Sequence, residues 1–418
     1  MLRWIVSILV FVVCIPNAFA SRDFLISFWG GPELKSDPQV VYRDIAQCGF
    51  NYSNLPTGTD ERGRPYPSPS VEQNKRILDA CSKYGVKYIV PDARTTDKMP
   101  GDPGFASNLD AVIKDYGRLP GTGGYFIADE PSAVRFPQLA AVNAYLKSKD
   151  PSKLRFFNLF PNYASAKQLG TSTYEQYIEQ FCSQVKPDIL GYDHYAVFLK
   201  GKKGDEQAVD SYFLNMELIR AEGLKYNIPT CLSLLSTSHE DYEDPTLADL
   251  RWQVNTALAY GYKGIMYFTY QSWNPKVDTG IVNVELKRTH HFNQVKRINN
   301  ELHVLGGVLA GLKSTEVYHT GKLPKGCKPQ NRNSILQAQS NLPVLIGLFK
   351  DAKGSTWAFV MNRDMQSVGD IKLLLAPQYH HLIEKSKSTG IMREVNCNVD
   401  GGFDIRLQAG DGALFMLE

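Results

Sequence analysis

The sequence predicts a (β/α)8, or TIM, barrel followed by a C-terminal antiparallel β-sandwich. Three observations carry this reading. Short apolar runs alternate with helical stripes eight times between residues 24 and 305, at the ~30-residue repeat of a strand–helix unit. Most of the runs end in polar, acidic or aromatic residues, as barrel strands do where they meet an active face. After Gly311 the pattern changes to short strands parted by Gly, Asp and Asn, with no helical stripe. A chain of 418 residues has room for a barrel of ~250 residues and a smaller module. A doubly wound open sheet is the weaker alternative. No Gly-x-Gly-x-x-Gly follows a strand, so a nucleotide site is disfavoured.

The elements follow in order. Phe24–Gly31 is the first strand, and Pro38–Gln47 a helix with Val41 and Ile45 on its apolar stripe. Cys48–Ser53 is the second strand. Helix Val71–Tyr84 repeats Ile77, Leu78 and Cys81 at helical spacing, and Gly85 caps it. Val86–Asp92 is the third strand, and Asn108–Tyr116 a helix. Gly123–Asp129 is the fourth strand, stopped by Asp129, Glu130 and Pro131, since proline has no N–H for a ladder. Helix Phe136–Ser148 leads to the fifth strand, Leu154–Phe160, and helix Tyr174–Val185 to the sixth, Asp188–Tyr195. Helix Tyr212–Tyr226 precedes the seventh strand, Pro229–Leu235. Thr246–Tyr260 starts with a capping box formed by Thr246 and Asp249. Gly264–Tyr270 is the eighth strand and His290–Leu305 the eighth helix. The sandwich strands are 344–349, 356–362, 371–375, 392–395, 403–407 and 413–417. The expected organisation is residues 1–20 as a leader, 21–312 as the barrel and 313–418 as an accessory sandwich.

Composition narrows the function. The formal net charge is +3 and no basic block occurs, so nucleic acid is not an expected partner. Met1–Ala20 has a positive n-region at Arg3, an apolar stretch and an Ala18-Phe19-Ala20 cleavage site. It reads as a secretory signal peptide, giving a secreted or periplasmic chain with no membrane span. Cys48, Cys81, Cys182, Cys231, Cys327 and Cys397 are dispersed, without a C-x-x-C pair. That argues against a zinc site or a redox dithiol. Most of them read as small core residues, and Cys327 with Cys397 is the pair to test for a disulfide.

In a barrel the strand tips and the loops after them form the active face. Reading them off gives Trp29, Asn51, Asp92, Asp129, Glu130, Asn158, Asp193, His194, Tyr195, His239, Tyr270 and Trp273. The set is acidic, amide-bearing and aromatic. Aromatic faces match the apolar faces of a sugar, and carboxylates and amides match its hydroxyl edges. No Cys–His or Ser–His pairing for a hydrolase triad stands out. His194, His239, Asp193 and Asp92 could surround a metal, but their spacing matches no ligand pattern. No metal or cofactor is therefore expected. Asp129 and Glu130 could instead cap the following helix. Beside Glu130, Asp129 would raise its pKa by like-charge repulsion, which suits a general acid.

A barrel with Glu at the end of strand four and a β-sandwich after it resembles the clan A glycoside hydrolases. In that clan the strand-four Glu is the general acid/base, and Glu130 matches it. The residue before it is usually Asn, and here it is Asp129. The chain also looks like a group of secreted bacterial glycosidase-like proteins. That likeness rests on Trp29-Gly30-Gly31-Pro32, Gly124–Pro131, Tyr192-Asp193-His194-Tyr195 and Tyr267-Phe268-Thr269-Tyr270. The resemblance implies cleavage of O-glycosidic bonds in a poly- or oligosaccharide. One departure stands out. The clan's nucleophile is a Glu at the tip of strand seven, whereas here that strand runs into Ser236-Thr237-Ser238-His239 and the first carboxylate is Glu240. Glu240 or Glu243 could act from the loop, Asp193 could serve as the second carboxylate, or the protein could bind carbohydrate without cleaving it.

Overall fold

The computed structural model describes residues 24–54, 68–239, 241–274 and 279–418. The leader reading, the loop 55–67 and Glu240 lie outside them. Eight parallel strands form the barrel sheet: β1 (Leu25–Trp29), β2 (Tyr52–Asn54), β3 (Lys87–Pro91), β4 (Thr122–Asp129), β5 (Leu154–Leu159), β6 (Leu190–Asp193), β7 (Thr230–Leu235) and β8 (Gly264–Phe268). Their hydrogen-bonded order is β1-β8-β7-β6-β5-β4-β3-β2. The helices between them are α1 (Pro38–Gln47), α2 (Val71–Tyr84), α3 (Phe105–Tyr116), α4 (Phe136–Lys149), α5 (Ala166–Leu169), α6 (Tyr174–Gln180), α7 (Glu206–Tyr226), α8 (Leu247–Ala259) and α9 (His290–Gly311).

Local chemistry explains several boundaries. Ser70 and Gln73 form a reciprocal capping box at α2, and Gly85 ends that helix in the left-handed region at φ 72°. Thr246 and Asp249 make the same box at α8. Alternate strand residues point inward. Leu25, Tyr52, Ile89, Phe126, Phe156, Ile189, Cys231 and Met266 fill the barrel interior, while the intervening residues pack under the helices.

The join between β1 and β2 uses a side chain. Asn51 Nδ2 donates to the Phe24 carbonyl at 2.8 Å, and its Oδ1 accepts from Ile26 N at 2.8 Å. An amide here mimics a peptide group and continues the ladder across the seam. The second strand starts at Tyr52 rather than Cys48. Asn51 therefore sits at the base of the barrel, not at its mouth, which corrects its assignment to the binding face.

The C-terminal region is a β-sandwich. One sheet has the order β10-β13-β16 and the other β15-β14-β17-β12-β11-β9, from β9 (Lys313–His319), β10 (Leu336–Gln339), β11 (Val344–Lys350), β12 (Thr356–Asn362), β13 (Gly369–Leu375), β14 (Leu382–Lys385), β15 (Met392–Glu394), β16 (Phe403–Leu407) and β17 (Gly412–Leu417). Ile346, Val360, Ile371, Leu373 and Phe415 form its core. β9, β10 and β14 are additions to the sequence reading. Charged or amide residues break their apolar runs, so each run is too short to register as a strand.

The larger sheet also packs on α8. Trp252 Nε1 donates to the Arg363 carbonyl at 2.9 Å, and Asn255 Nδ2 to the Gly410 carbonyl at 2.9 Å. Gly347 lies so close that a Cβ there would fall 1.8 Å from the Ala259 carbonyl oxygen. The Tyr260 hydroxyl, at the end of α8, donates to Glu217 at 2.9 Å and lies 3.1 Å from His319 Nε2 and 3.6 Å from Cys327 Sγ. One O–H and two lone pairs satisfy that set, so the hydroxyl fills the point on which the three side chains converge. The six cysteines of the described residues are free, with Cys327 buried and Cys397 exposed. This corrects the disulfide expectation: Cys327 is committed to the barrel–sandwich seam.

Candidate active site

Strand β4 brings Asp129 and Glu130 to the barrel mouth. The β4–β5 register slips between Phe126 and Ala128 and then pairs Asp129 with Asn158. Glu130 N donates to the Asn158 carbonyl at 2.7 Å. Glu130 itself is left-handed at φ 42°, a conformation that costs a non-glycine residue of order 1–3 kcal/mol and recurs at functional sites. Pro131 then leaves the sheet, and its carbonyl accepts from the Tyr177 hydroxyl at 2.8 Å.

Asn158 is the hub. Its two amide hydrogens go to different carboxyls, Asp129 Oδ1 at 3.2 Å and Asp193 Oδ1 at 3.0 Å. Its oxygen accepts from Ser233 Oγ at 3.2 Å. Four adjacent strands, β4 to β7, thus contribute one polar group each to one network. The Glu130 carboxyl is in hydrogen-bonding contact with that of Asp193.

Three carboxyls this close cannot all ionise. Burial first, then Asp193 and Asp129, drive Glu130 far above the usual carboxylate range. Burial also raises Asp193, while hydrogen bonds from Asn158 and Glu130 oppose that rise. The proton of the pair therefore rests on Glu130, which donates to an anionic Asp193. Asp129 is raised to about 7 by burial and by Asp193, with Asn158 opposing. Its side chain keeps a solvent-accessible face although protein surrounds it on the other sides, and water on that face tempers the shift.

An aromatic wall stands beside the carboxyls. Tyr195 stacks on Phe268 with centroids 5.2 Å apart. Burial raises the Tyr195 phenol, followed by Asp193, Tyr163, Glu130 and Asp129, which places it next to the cluster in neutral form. Trp273 meets Phe268 edge-on at 5.3 Å and His239 at 5.4 Å. Trp273 is 44% exposed. Trp29, the register partner of Phe268 on the adjacent strand, meets Phe126 edge-on at 5.6 Å.

The structure brings Glu130, Asp193, Asp129, Asn158, Tyr195, His239, Trp273 and Trp29 to the mouth. It does not bring four others. Asp92 faces outward, where it accepts from Arg94 Nη2 at 2.7 Å and the Tyr116 hydroxyl at 2.8 Å. Burial alone would raise Asp92, but Arg94 and Tyr116 hold it below its ordinary value. His194 is buried behind the wall between Tyr163 and Tyr212, and burial lowers it to about 3, so it is neutral. Tyr270 packs on Phe28 at 4.8 Å in the outer core. Asn51 is at the barrel base, as described above. One residue of strand phase separates Asp92 and His194 from the mouth. Ile89 points inward, so Asp92, three residues on, points outward; Asp193 points inward, so His194 cannot. Of the loop carboxylates, Glu243 accepts from Gly201 N at 3.1 Å.

Sequence reading missed Phe268, Tyr163, Tyr242, Ser233 and Asn54. Counting by twos from the inward Met266, Cys231 and Tyr52 reaches Phe268, Ser233 and Asn54. The Asn54 amide is fully buried, with neither its N nor its O hydrogen-bonded among the described residues.

A parallel eight-stranded barrel with a trailing β-sandwich is a fold found among solved glycoside hydrolases. Solved structures similar to this chain include a family 39 glycoside hydrolase from Bacteroides cellulosilyticus WH2, at TM-score 0.52 and 14% identity, covering 97% of this chain and 82% of that one. A GH27 β-L-arabinopyranosidase from Geobacillus stearothermophilus matches at TM-score 0.53 and 9% identity, over 96% and 97% of the two chains. A β-galactosidase from Marinomonas ef1 matches at TM-score 0.50 and 12% identity; 69% of this chain aligns with 62% of that enzyme. At such identities the likeness is one of fold. No family model matches the sequence, and no curated protein matches it. Among the described residues, no helix is long and apolar enough to cross a membrane.

Proposed function

We propose that this protein is a secreted glycoside hydrolase that cleaves O-glycosidic bonds of a poly- or oligosaccharide. The observation that carries the reading is the convergence of Glu130, Asp193 and Asp129 at the barrel mouth, with Asn158 bonded to both aspartates. A carboxylic acid that stays protonated at neutral pH can protonate a leaving glycosidic oxygen, and its anionic neighbour can act as nucleophile or activate water. Asp129 keeps Glu130 protonated by like charge, Asn158 positions both aspartates, and the wall of Tyr195, Phe268, His239 and Trp273 offers apolar faces to a sugar ring. In this reading residues 21–312 do the chemistry and 313–418 are an accessory module. The two carboxyls touch, closer than the ~5–5.5 Å of retention or ~6.5–9.5 Å of inversion. A sugar entering between them would part them, and the separation it imposes would set the stereochemistry.

A second reading is a carbohydrate-binding barrel without turnover. It is favoured by the tip of β7, where Ser236, with its Oγ buried and unbonded among the described residues, stands in place of a carboxylate. A glycan panel separates the two. New reducing ends released by the wild type and abolished in Glu130→Gln and Asp193→Asn support hydrolysis. Binding without release supports the second reading, and release that survives both substitutions overturns the assignment.

A further inference from the structure

Outside the acidic network, Asp244, His290 and His291 converge. Their ligand atoms all lie within 4.8 Å of one another. His290 Nε2 is 3.3 Å from Asp244 Oδ2, and His291 Nε2 is 2.9 Å from Asp244 Oδ1. Asp244 comes from the loop after β7, and the histidines open α9 behind the loop after β8. Adjacent histidines with one distant aspartate match no familiar ligand spacing, so the sequence alone does not reveal the group.

Three features of the cluster fit a divalent metal. The first is spacing. Zinc bonds of ~2.0–2.1 Å in a tetrahedron place neighbouring ligand atoms about 3.3 Å apart; the two imidazoles here lie 3.3 and 2.9 Å from the two oxygens of Asp244. The second is ring placement. His291 Nδ1 lies 3.2 Å from Gln294 Oε1 and its Nε2 lies 2.9 Å from Asp244 Oδ1, so the side-chain amide orients the ring with its other nitrogen facing the carboxylate. A ligating histidine whose other N–H is held by a carbonyl is also the usual outer arrangement around zinc. The third is access. His291 is fully buried, whereas His290 and Asp244 are 52% and 41% exposed, so water can complete the fourth position.

We propose that Asp244, His290 and His291 bind a zinc-class divalent ion. The donor set, two imidazole nitrogens and one carboxylate, suits zinc and not calcium, which takes six to eight oxygens. The ion has a place in the architecture. Asp244 also accepts from Thr279 Oγ1, and Thr279 N donates to Thr237 Oγ1 at 3.2 Å. A metal on Asp244 would brace the loops after β7 and β8, which carry His239 and Trp273 of the aromatic wall. This inference does not depend on the hydrolase reading.

The test is metal binding by the full chain, freed of metal and equilibrated with zinc sulfate at neutral pH. Elemental analysis after dialysis should give about one zinc per chain, with a zinc-dependent rise in Tm. Cobalt(II) should give the intense visible absorption of a four-coordinate site. Both signals should be lost in His290→Ala and in Asp244→Asn, an isosteric change that keeps hydrogen-bonding capacity. Circular dichroism checks that each variant folds. Substoichiometric zinc in the wild type, or zinc and cobalt signals unchanged in both variants, would overturn the assignment and leave a hydrogen-bonded Asp–His–His group.

Discussion

Replacing Glu130 with glutamine should stabilise the protein, and increasingly so as pH rises. In the unfolded chain Glu130 titrates at its ordinary value of 4.5 and is ionised above pH 5. In the fold it keeps its proton through pH 7, because burial, Asp193 and Asp129 oppose its ionisation. The unfolded state then binds one proton fewer than the native state, so native stability falls as pH increases. The slope is about 1.4 kcal/mol per pH unit for one proton, or about 2.7 kcal/mol from pH 5 to pH 7. Glutamine does not titrate, yet its amide can donate to Asp193 as the protonated carboxyl does. Asp129 is present in both proteins, so its own titration largely cancels in the difference. Unfolding entropy of ~2.1 cal/mol/K per residue amounts to about 0.9 kcal/mol/K for this chain, so the gap in Tm should widen by about 3 °C over that range. Calorimetry of both proteins at pH 5, 6 and 7 measures it. A gap that stays constant or narrows would refute the shared proton, and with it Glu130 as a resting acid. The same substitution should lower any glycan hydrolysis by ~10²–10⁴-fold, the usual contribution of general acid catalysis.

Asn158→Ala removes a donor from Asp129 and from Asp193 and strands Ser233. It should cost about 1–3 kcal/mol in chemical denaturation and lower kcat more than it raises KM, with a shifted pH–rate profile. Asp92→Asn should lower Tm by weakening the Arg94 and Tyr116 contacts while leaving kcat within about twofold, since that carboxyl lies outside the mouth; a loss of kcat beyond tenfold in folded protein would contradict its outward placement. Gly347→Ala drives a methyl into the Ala259 carbonyl and should cost about 1–3 kcal/mol or more. Its effect should appear as a lower Tm, with activity at low temperature retained.

How far the fold and site could be read from the sequence depended on the length of each signal. The barrel was legible because its helices carry apolar stripes over many residues, and α1 and α2 fall on the expected limits. Strands of three to eight residues carry much less. A tip residue one place out of phase faces the helices instead of the mouth, and Asp92 and His194 failed on that point alone. Asn51 failed for another reason: an amide that recognises a sugar hydroxyl also imitates a peptide group, and only the register across the β1–β2 seam tells the two uses apart. Glu130 and Asp193 were legible as strand-tip carboxylates, but their contact was not. It depends on Asn158 reaching across two strand neighbours and on a left-handed residue after the β4 slip, neither of which leaves a mark in composition or period. The same limit hid Asp244, in the loop after β7, and His290 and His291, at the start of α9. Long-range convergence of loop side chains is set by how the barrel closes, so the elements were predictable from sequence while the chemistry waited on their arrangement.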